Sequence, residues 1–163
     1  MIQNVMRGAA AFLLICTPLA AMAQAPVAGA PTMAALSAEA QDAAKAIDAF
    51  HAALKRNDPA AALALLADDA LIFEGGYAER SKSEYASHHA GADAAYAAAV
   101  PSTLARRTGF ADSATAWIAS ESRAIGRYKD KAVDRLSTES MVLRKTAEGW
   151  RIVHIHWSSR NAA

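Results

Sequence analysis

Gly149-Trp150-Arg151-Ile152-Val153-His154-Ile155-His156-Trp157-Ser158-Ser159-Arg160 is the stretch on which the reading of this chain turns. Read as a strand, its side chains alternate between two faces. Regular alternation puts Trp150, Ile152, His154, His156 and Ser158 on one face, and Arg151, Val153, Ile155 and Trp157 on the other. Two imidazoles beside Trp150 and Ile152 must be hydrogen-bonded, charged or ligating if that face is covered. This makes the last strand the first place to look for chemistry.

Working back from it, Thr146-Ala147-Glu148-Gly149 reads as a tight hairpin, and further strands are expected over roughly 102–110, 115–126 and 133–145. Before Pro101 the pattern is helical. Ser37 is a good N-cap with Glu39 in the first turn, and Ile47, Phe50 and Leu54 recur at helical spacing, so a first helix runs to about Arg56. Asn57-Asp58-Pro59 ends it and starts a short second helix reaching Asp68-Asp69, a pair that reads as a turn cap. Leu71-Ile72-Phe73-Glu74 is a brief strand closed by Gly75-Gly76, and the capping box Ser81-Lys82-Ser83-Glu84 opens a third helix to about Ala99. Helices followed by an antiparallel meander define an α+β domain over residues 36–160, with 161–163 as a tail.

The beginning of the chain is different. Met1 to Ala23 has a single charge at Arg7, an apolar run from Gly8 to Ala20 too short to span a bilayer, and Ala21-Met22-Ala23 as a small-x-small cleavage pattern. It reads as a signal peptide of residues 1–23 for a periplasmic or secreted protein, followed by an Ala/Pro/Gly-rich lead-in over 24–35. Cys16 is the one cysteine, so the exported chain has no disulfide or thiolate chemistry. Of 17 Lys and Arg, Arg7 leaves with the signal, which balances the 16 Asp and Glu. That balance gives no support for nucleic acid or an anionic membrane as partner.

The order helix, Asn-Asp-Pro turn, short helix, Ala-Asp-Asp, strand, Gly-Gly, helix and long meander resembles the nuclear transport factor 2-like superfamily. The ending from Gly149 to Ser158 is similar to its SnoaL-like branch. The resemblance implies a curved sheet wrapped around helices as a cone with a pocket, and a homodimer formed through the sheet. It implies no single activity, because members range from isomerases and dehydratases to assembly modules. Matched to ketosteroid isomerase of that superfamily, Glu74 falls where the carboxylate base stands and Phe50 where the oxyanion-hole tyrosine stands. Phe50 cannot donate a hydrogen bond to an oxyanion, which argues against steroid-type isomerisation. His51 is adjacent, but one residue along a helix turns a side chain about 100° away.

Two kinds of site follow. The first is a small-molecule pocket with Glu74 and His156 as an acid–base pair, lined by His154, His89, Glu121, Glu139, Trp117 and Tyr85. The second is a zinc or copper site built from His88, His89, His154 and His156, completed by Glu74, Glu121 or Glu139. His88 and His89 diverge on a helix, and His89 is taken as the inward member. A third reading is an interaction module in which Trp157, opposite the histidines, is an exposed contact. Arg106-Arg107 reads as solvated loop or edge charge.

Overall fold

Ser37 and Asp58 start the first two helices as their side chains predict. Ser37 Oγ accepts from the Ala40 amide at 3.2 Å, and Asp58 Oδ1 accepts from the Ala61 amide at 3.0 Å. The computed structural model describes residues 36–162. The expected signal peptide and lead-in lie outside the described residues. Among the described residues, no helix is long and apolar enough to cross a membrane. Helix α1 spans Ala38–Lys55 and α2 Pro59–Leu63, and strands β1 (Leu66–Glu74) and β2 (Tyr77–Glu79) follow. Helices α3 (Lys82–His88) and α4 (Ala90–Ala99) lead into β3 (Ser102–Ala111), β4 (Thr115–Tyr128), β5 (Lys131–Thr146) and β6 (Gly149–Asn161).

The six strands form one curved, unclosed sheet in the order β2-β1-β6-β5-β4-β3, all neighbours antiparallel except β1 and β6. The α+β class and the meander stand as expected. Two differences concern the N-terminal half. Strand β1 starts at Leu66, so Asp68 and Asp69 are strand residues, held by ion pairs to Lys82 and Arg144 rather than serving as a turn cap. The third helix is two, broken at His89. Strand β2 was not anticipated; Gly75 and Gly76, at φ +56° and +88°, turn β1 straight into it.

The decisive difference lies in β6. Leu143 pairs with Ile152, but Val142 pairs with His154, leaving Val153 as the extra residue of a β-bulge. The bulge resets the alternation. Trp150 and Ile152 face the helices, and beyond Val153 it is Ile155 and Trp157 that do so, with Ile152 and Ile155 both at 0 % exposure. His154 and His156 therefore stand on the outer face. A second bulge, at Ala105, does the same in β3, turning Arg107 inward and Arg106 outward.

With the register fixed, the inner face is a series of cross-strand rows, each about 6.6 Å from the next. Ala116, Leu143, Ile152 and Leu66 form one row, and Ile118, Met141, Ile155 and Ile72 the next, all buried. Against these two rows α1 packs Ala43, Ala44, Ile47, Phe50 and Leu54. The third row is Arg107, Ser120, Glu139, Trp157 and Glu74, and the fourth is Leu104, Ser122, Ser137 and Ser159. The fifth is Ser102, Ala124, Arg135 and Asn161. The face thus passes from hydrocarbon to polar over five rows.

The bulge gives a test by deletion. Removing Val153 restores regular pairing without changing which side chains face the core, so this variant should keep cooperative thermal unfolding. Removing Ile155 puts His156 in its place and turns Trp157 outward. That variant should lose cooperative unfolding by circular dichroism; equal melting curves for the two would contradict the register.

Candidate functional site

The polar rows meet a second stripe on α1. Asp48, His51, Ala52 and Lys55 follow helical spacing, displaced by about 100° from the apolar stripe that carries Phe50. Together with α4 residues Asp93 and Tyr96 and the mouth residues Leu104 and Tyr128, they enclose a cavity of about 680 Å³. That is a volume suited to a small organic molecule. A smaller cavity of about 250 Å³, lined by Ile72, Tyr77, Glu79, Tyr85 and His89, shares Glu74 and Trp157 with it.

Glu139 is the best-held group of the third row. It is 8 % exposed, its Oε2 stands 2.8 Å from His51 Nε2, and it accepts a 2.8 Å hydrogen bond from Trp157 Nε1. Burial pushes Glu139 up, but His51, Trp157 and the nearby Arg107 outweigh it and leave the carboxyl below its ordinary range. Glu139 is therefore a carboxylate that orients His51. Phe50 stacks on Trp157 with ring centroids 6.3 Å apart and meets the His51 ring edge-on at 5.6 Å, which fixes both from the core side. Arg107 is neutralised within the wall, donating to Asp48 at 2.8 Å and to Ser120 Oγ at 3.2 Å.

Across the cavity the electrostatics run the other way. Glu74 is exposed at the rim of the cavity. Partial burial and the charge of Asp93 raise it, with His89 and Arg135 opposing. Burial also raises Asp93, against the 2.8 Å hydrogen bond it accepts from the Tyr85 hydroxyl and the charge of His89. Burial and the neighbouring Asp93 in turn push the Tyr85 hydroxyl up, so it stays a donor. One wall thus holds a depressed carboxylate behind a histidine, and the other holds two carboxyls inclined to keep a proton. The two walls push their carboxyl groups in opposite directions.

The structure redistributes the residues singled out from the sequence. Glu74 and Glu139 line the large cavity, while Tyr85, fully buried, and His89 line the small one. His154, His156, Trp117 and Glu121 are on the outer face. His154 Nδ1 donates to the Leu71 carbonyl at 2.8 Å, Trp117 lies beside Phe110, and Glu121 is 4.0 Å from Arg106. His156 therefore does not pair with Glu74 across the cavity; it packs against Phe73 on the opposite face. Trp157, read as an outer contact, is a cavity wall. The reversals of His154, His156 and Trp157 have one cause, the bulge at Val153, which alternation alone cannot reveal. Trp117 and Glu121 face outward by the regular alternation of β4 with Ala116, Ile118 and Ser120. His51 and Arg107 are the residues that sequence reasoning passed over. For His51 the signal was present in the spacing Asp48, His51, Lys55.

The two histidine pairs likewise do not converge, because the sheet lies between them. His88 and His89 both donate to the carboxylate of Glu79, His88 at 3.2 Å. On a regular helix they would diverge, and the break at His89 lets both reach one acceptor. Burial raises Glu79, but the two imidazoles outweigh it and leave it lowered. Among the described residues the group able to hold a metal ion is Glu79, Glu84 and His88, each offering one ligand atom within 4.8 Å of the others.

A curved, largely antiparallel sheet whose open end is a polar cavity under helices defines the cone-shaped class of α+β proteins. The chain belongs to the SnoaL-like domain family, whose pattern matches residues 43–161. A candidate ketosteroid isomerase from Shewanella frigidimarina is similar at 38 % identity, over 76 % of this chain and all of that one, with a TM-score of 0.70. The fold is shared with a nuclear transport factor 2-like protein of cystatin-like fold from Novosphingobium aromaticivorans (18 % identity, 76 % and 82 % of the two chains, TM-score 0.61). It is shared equally with a candidate dehydratase of the same superfamily from Streptomyces avermitilis (19 % identity, 76 % and 97 %, TM-score 0.63). Comparison with curated proteins returns no match.

The raised Asp93 carries a prediction. A carboxyl raised in the folded state favours folding while protonated and loses that contribution as pH rises through its folded value. Asp93→Asn keeps an acceptor for Tyr85 and removes the charge. Its melting temperature should exceed that of the parent at pH 7, and the gain should fade as pH falls toward the ordinary Asp value of 3.8. A gain that grows on acidification would contradict the assignment.

Proposed function

We propose that this protein binds a small organic molecule in the cone cavity and moves a proton on it, with His51 and Glu139 as the base and Glu74 with Asp93 as the acid side. The observation that carries this reading is the contact of Glu139 with both His51 and Trp157 inside a cavity of about 680 Å³. A buried carboxylate behind an imidazole at a cavity wall is the arrangement general-base chemistry uses. Phe50 is sealed in the core and offers no oxyanion donor, so the reading departs from steroid-type isomerisation and favours proton abstraction or dehydration on a smaller molecule.

Two probes test it. 2-Naphthol should bind saturably by calorimetry, and His51→Gln or Glu139→Gln should each weaken it about tenfold or more, the scale of a lost charge-assisted hydrogen bond. Trp117→Phe, on the outer face, should leave it unchanged. The α-hydrogens of 2-tetralone should exchange faster in deuterated buffer with the protein present, and the same two variants should abolish the acceleration. Absence of saturable binding sinks the cavity reading; exchange that survives both variants sinks the acid–base assignment.

A second reading concerns the opposite face and is compatible with the first. Phe110, Trp117 and Phe73, at 62 %, 37 % and 36 % exposure, form an apolar outer surface with Val142, His154 and His156. We infer that a second copy covers it, since exposed aromatic patches of this kind mark interfaces. Light scattering should give twice the monomer mass at micromolar concentration, and Trp117→Lys should halve it; a monomeric parent chain rules this out.

A further inference from the structure

Three cations line the mouth of the large cavity, and among the described residues none has a carboxylate partner. Lys55 Nζ donates to the Ser102 carbonyl at 3.3 Å, and Lys129 Nζ lies over the Tyr128 ring, 5.3 Å from its centroid. Arg135 stands between these two in kind: its Nε is shielded from solvent and has no hydrogen-bond partner among the described residues. Three other arginines of the sheet are answered by carboxylates. Arg107 has Asp48, Arg144 has Asp69, and Arg123 grips Asp134 through two hydrogen bonds of 2.8 and 2.7 Å. Asp134 is the residue next to Arg135, but strand alternation sends its carboxylate to the outer face.

Among the acids of the cavity Glu74 feels the charge of Arg135 but forms no ion pair with it, and Asp93 accepts from Tyr85. Asp48 is held by Arg107, and Glu139 by His51 and Trp157. A buried guanidinium edge without an acceptor is costly, and a planar fork of donors fits a carboxylate in two-pronged fashion. Position sets the length of what would be bound. Arg135, Ser137 and Glu139 are alternate residues of β5 on the inner face, so Arg135 lies roughly 13 Å along the strand from Glu139 at about 3.3 Å per residue. The serine row, Ser122, Ser137 and Ser159, lies between them.

We propose that the cavity takes an organic carboxylate, its anionic group held by Arg135 with Lys55 and Lys129 at the mouth and its ring or chain reaching past the serine row to His51 and Glu139. The proposal rests on the cavity being the ligand site and names the class of molecule that enters it. Recognition is then divided by row: charge at the mouth, small hydroxyls in the middle, proton transfer at the inner end.

2-Naphthoate and 2-naphthol, which share a ring system and differ in the anionic group, separate the two ideas. The protein should bind 2-naphthoate at least tenfold more tightly than 2-naphthol at low ionic strength, with the ratio falling as salt is added. Arg135→Gln should collapse the ratio to within about twofold, and Arg135→Lys, which keeps the charge and loses the fork, should retain part of it. A parent chain that binds 2-naphthol but shows no preference for 2-naphthoate overturns the carboxylate assignment and leaves the cavity reading standing. The same holds for a preference that Arg135→Gln leaves intact. Binding of neither compound overturns both.

Discussion

The architecture of this site depends on a single unpaired residue. Val153 adds one position to β6 against β5, and every side chain after it exchanges faces. A strand that reads as burying two histidines instead buries Ile155 and Trp157, and the imidazoles go to the outer surface. Two residues of opposite character could share this stretch only because a bulge supplies the half-period between them. The apolar rows, the Trp157 contact to Glu139 and the polarity of the cavity wall all follow from that step.

The electrostatics of the cavity build on this register. Trp157 offers an indole N–H just where Glu139, on the neighbouring strand, needs a second donor in a buried site. An ionised carboxylate in such surroundings needs donors, and here an indole and an imidazole meet at one oxygen, Oε2. On the far wall burial outweighs the Tyr85 hydroxyl and the charge of His89 at Asp93, and the charges of His89 and Arg135 at Glu74, so both lean toward holding a proton. Opposite tendencies a cavity's width apart arise from ordinary carboxyl groups, differentiated by what faces them.

Much of the fold was legible because local signals agreed. Ser37, Asp58-Pro59 and Ser81 with Glu84 each cap a helix, and the turn at Thr146 to Gly149 joins two strands in register. The site was only partly legible. Glu74 and Glu139 could be found because carboxylates between apolar strand residues are conspicuous. His51 was hidden by the comparison with Phe50, although the spacing with Asp48 and Lys55 marks a polar stripe. Trp157 was placed on the wrong face, and Arg107 was read as solvated loop or edge charge, because bulges at Val153 and Ala105 leave no trace in an alternation pattern. A bulge is a property of two strands read together, and a sequence shows them one at a time.

The serine row has a consequence for how such a cavity can change. Ser122, Ser137 and Ser159 come from three adjacent strands and sit at one level, between the His51–Glu139 pair and the cations Lys55, Lys129 and Arg135. None of them carries the core or the chemistry, and each is short enough to leave room beside it. Enlarging one would raise the floor of the cavity on one side; enlarging all three would shorten it by a whole layer. The depth and shape of the cavity can therefore drift independently of the His51–Glu139 pair at its inner end, which makes this layer an adjustable spacer in an otherwise fixed frame.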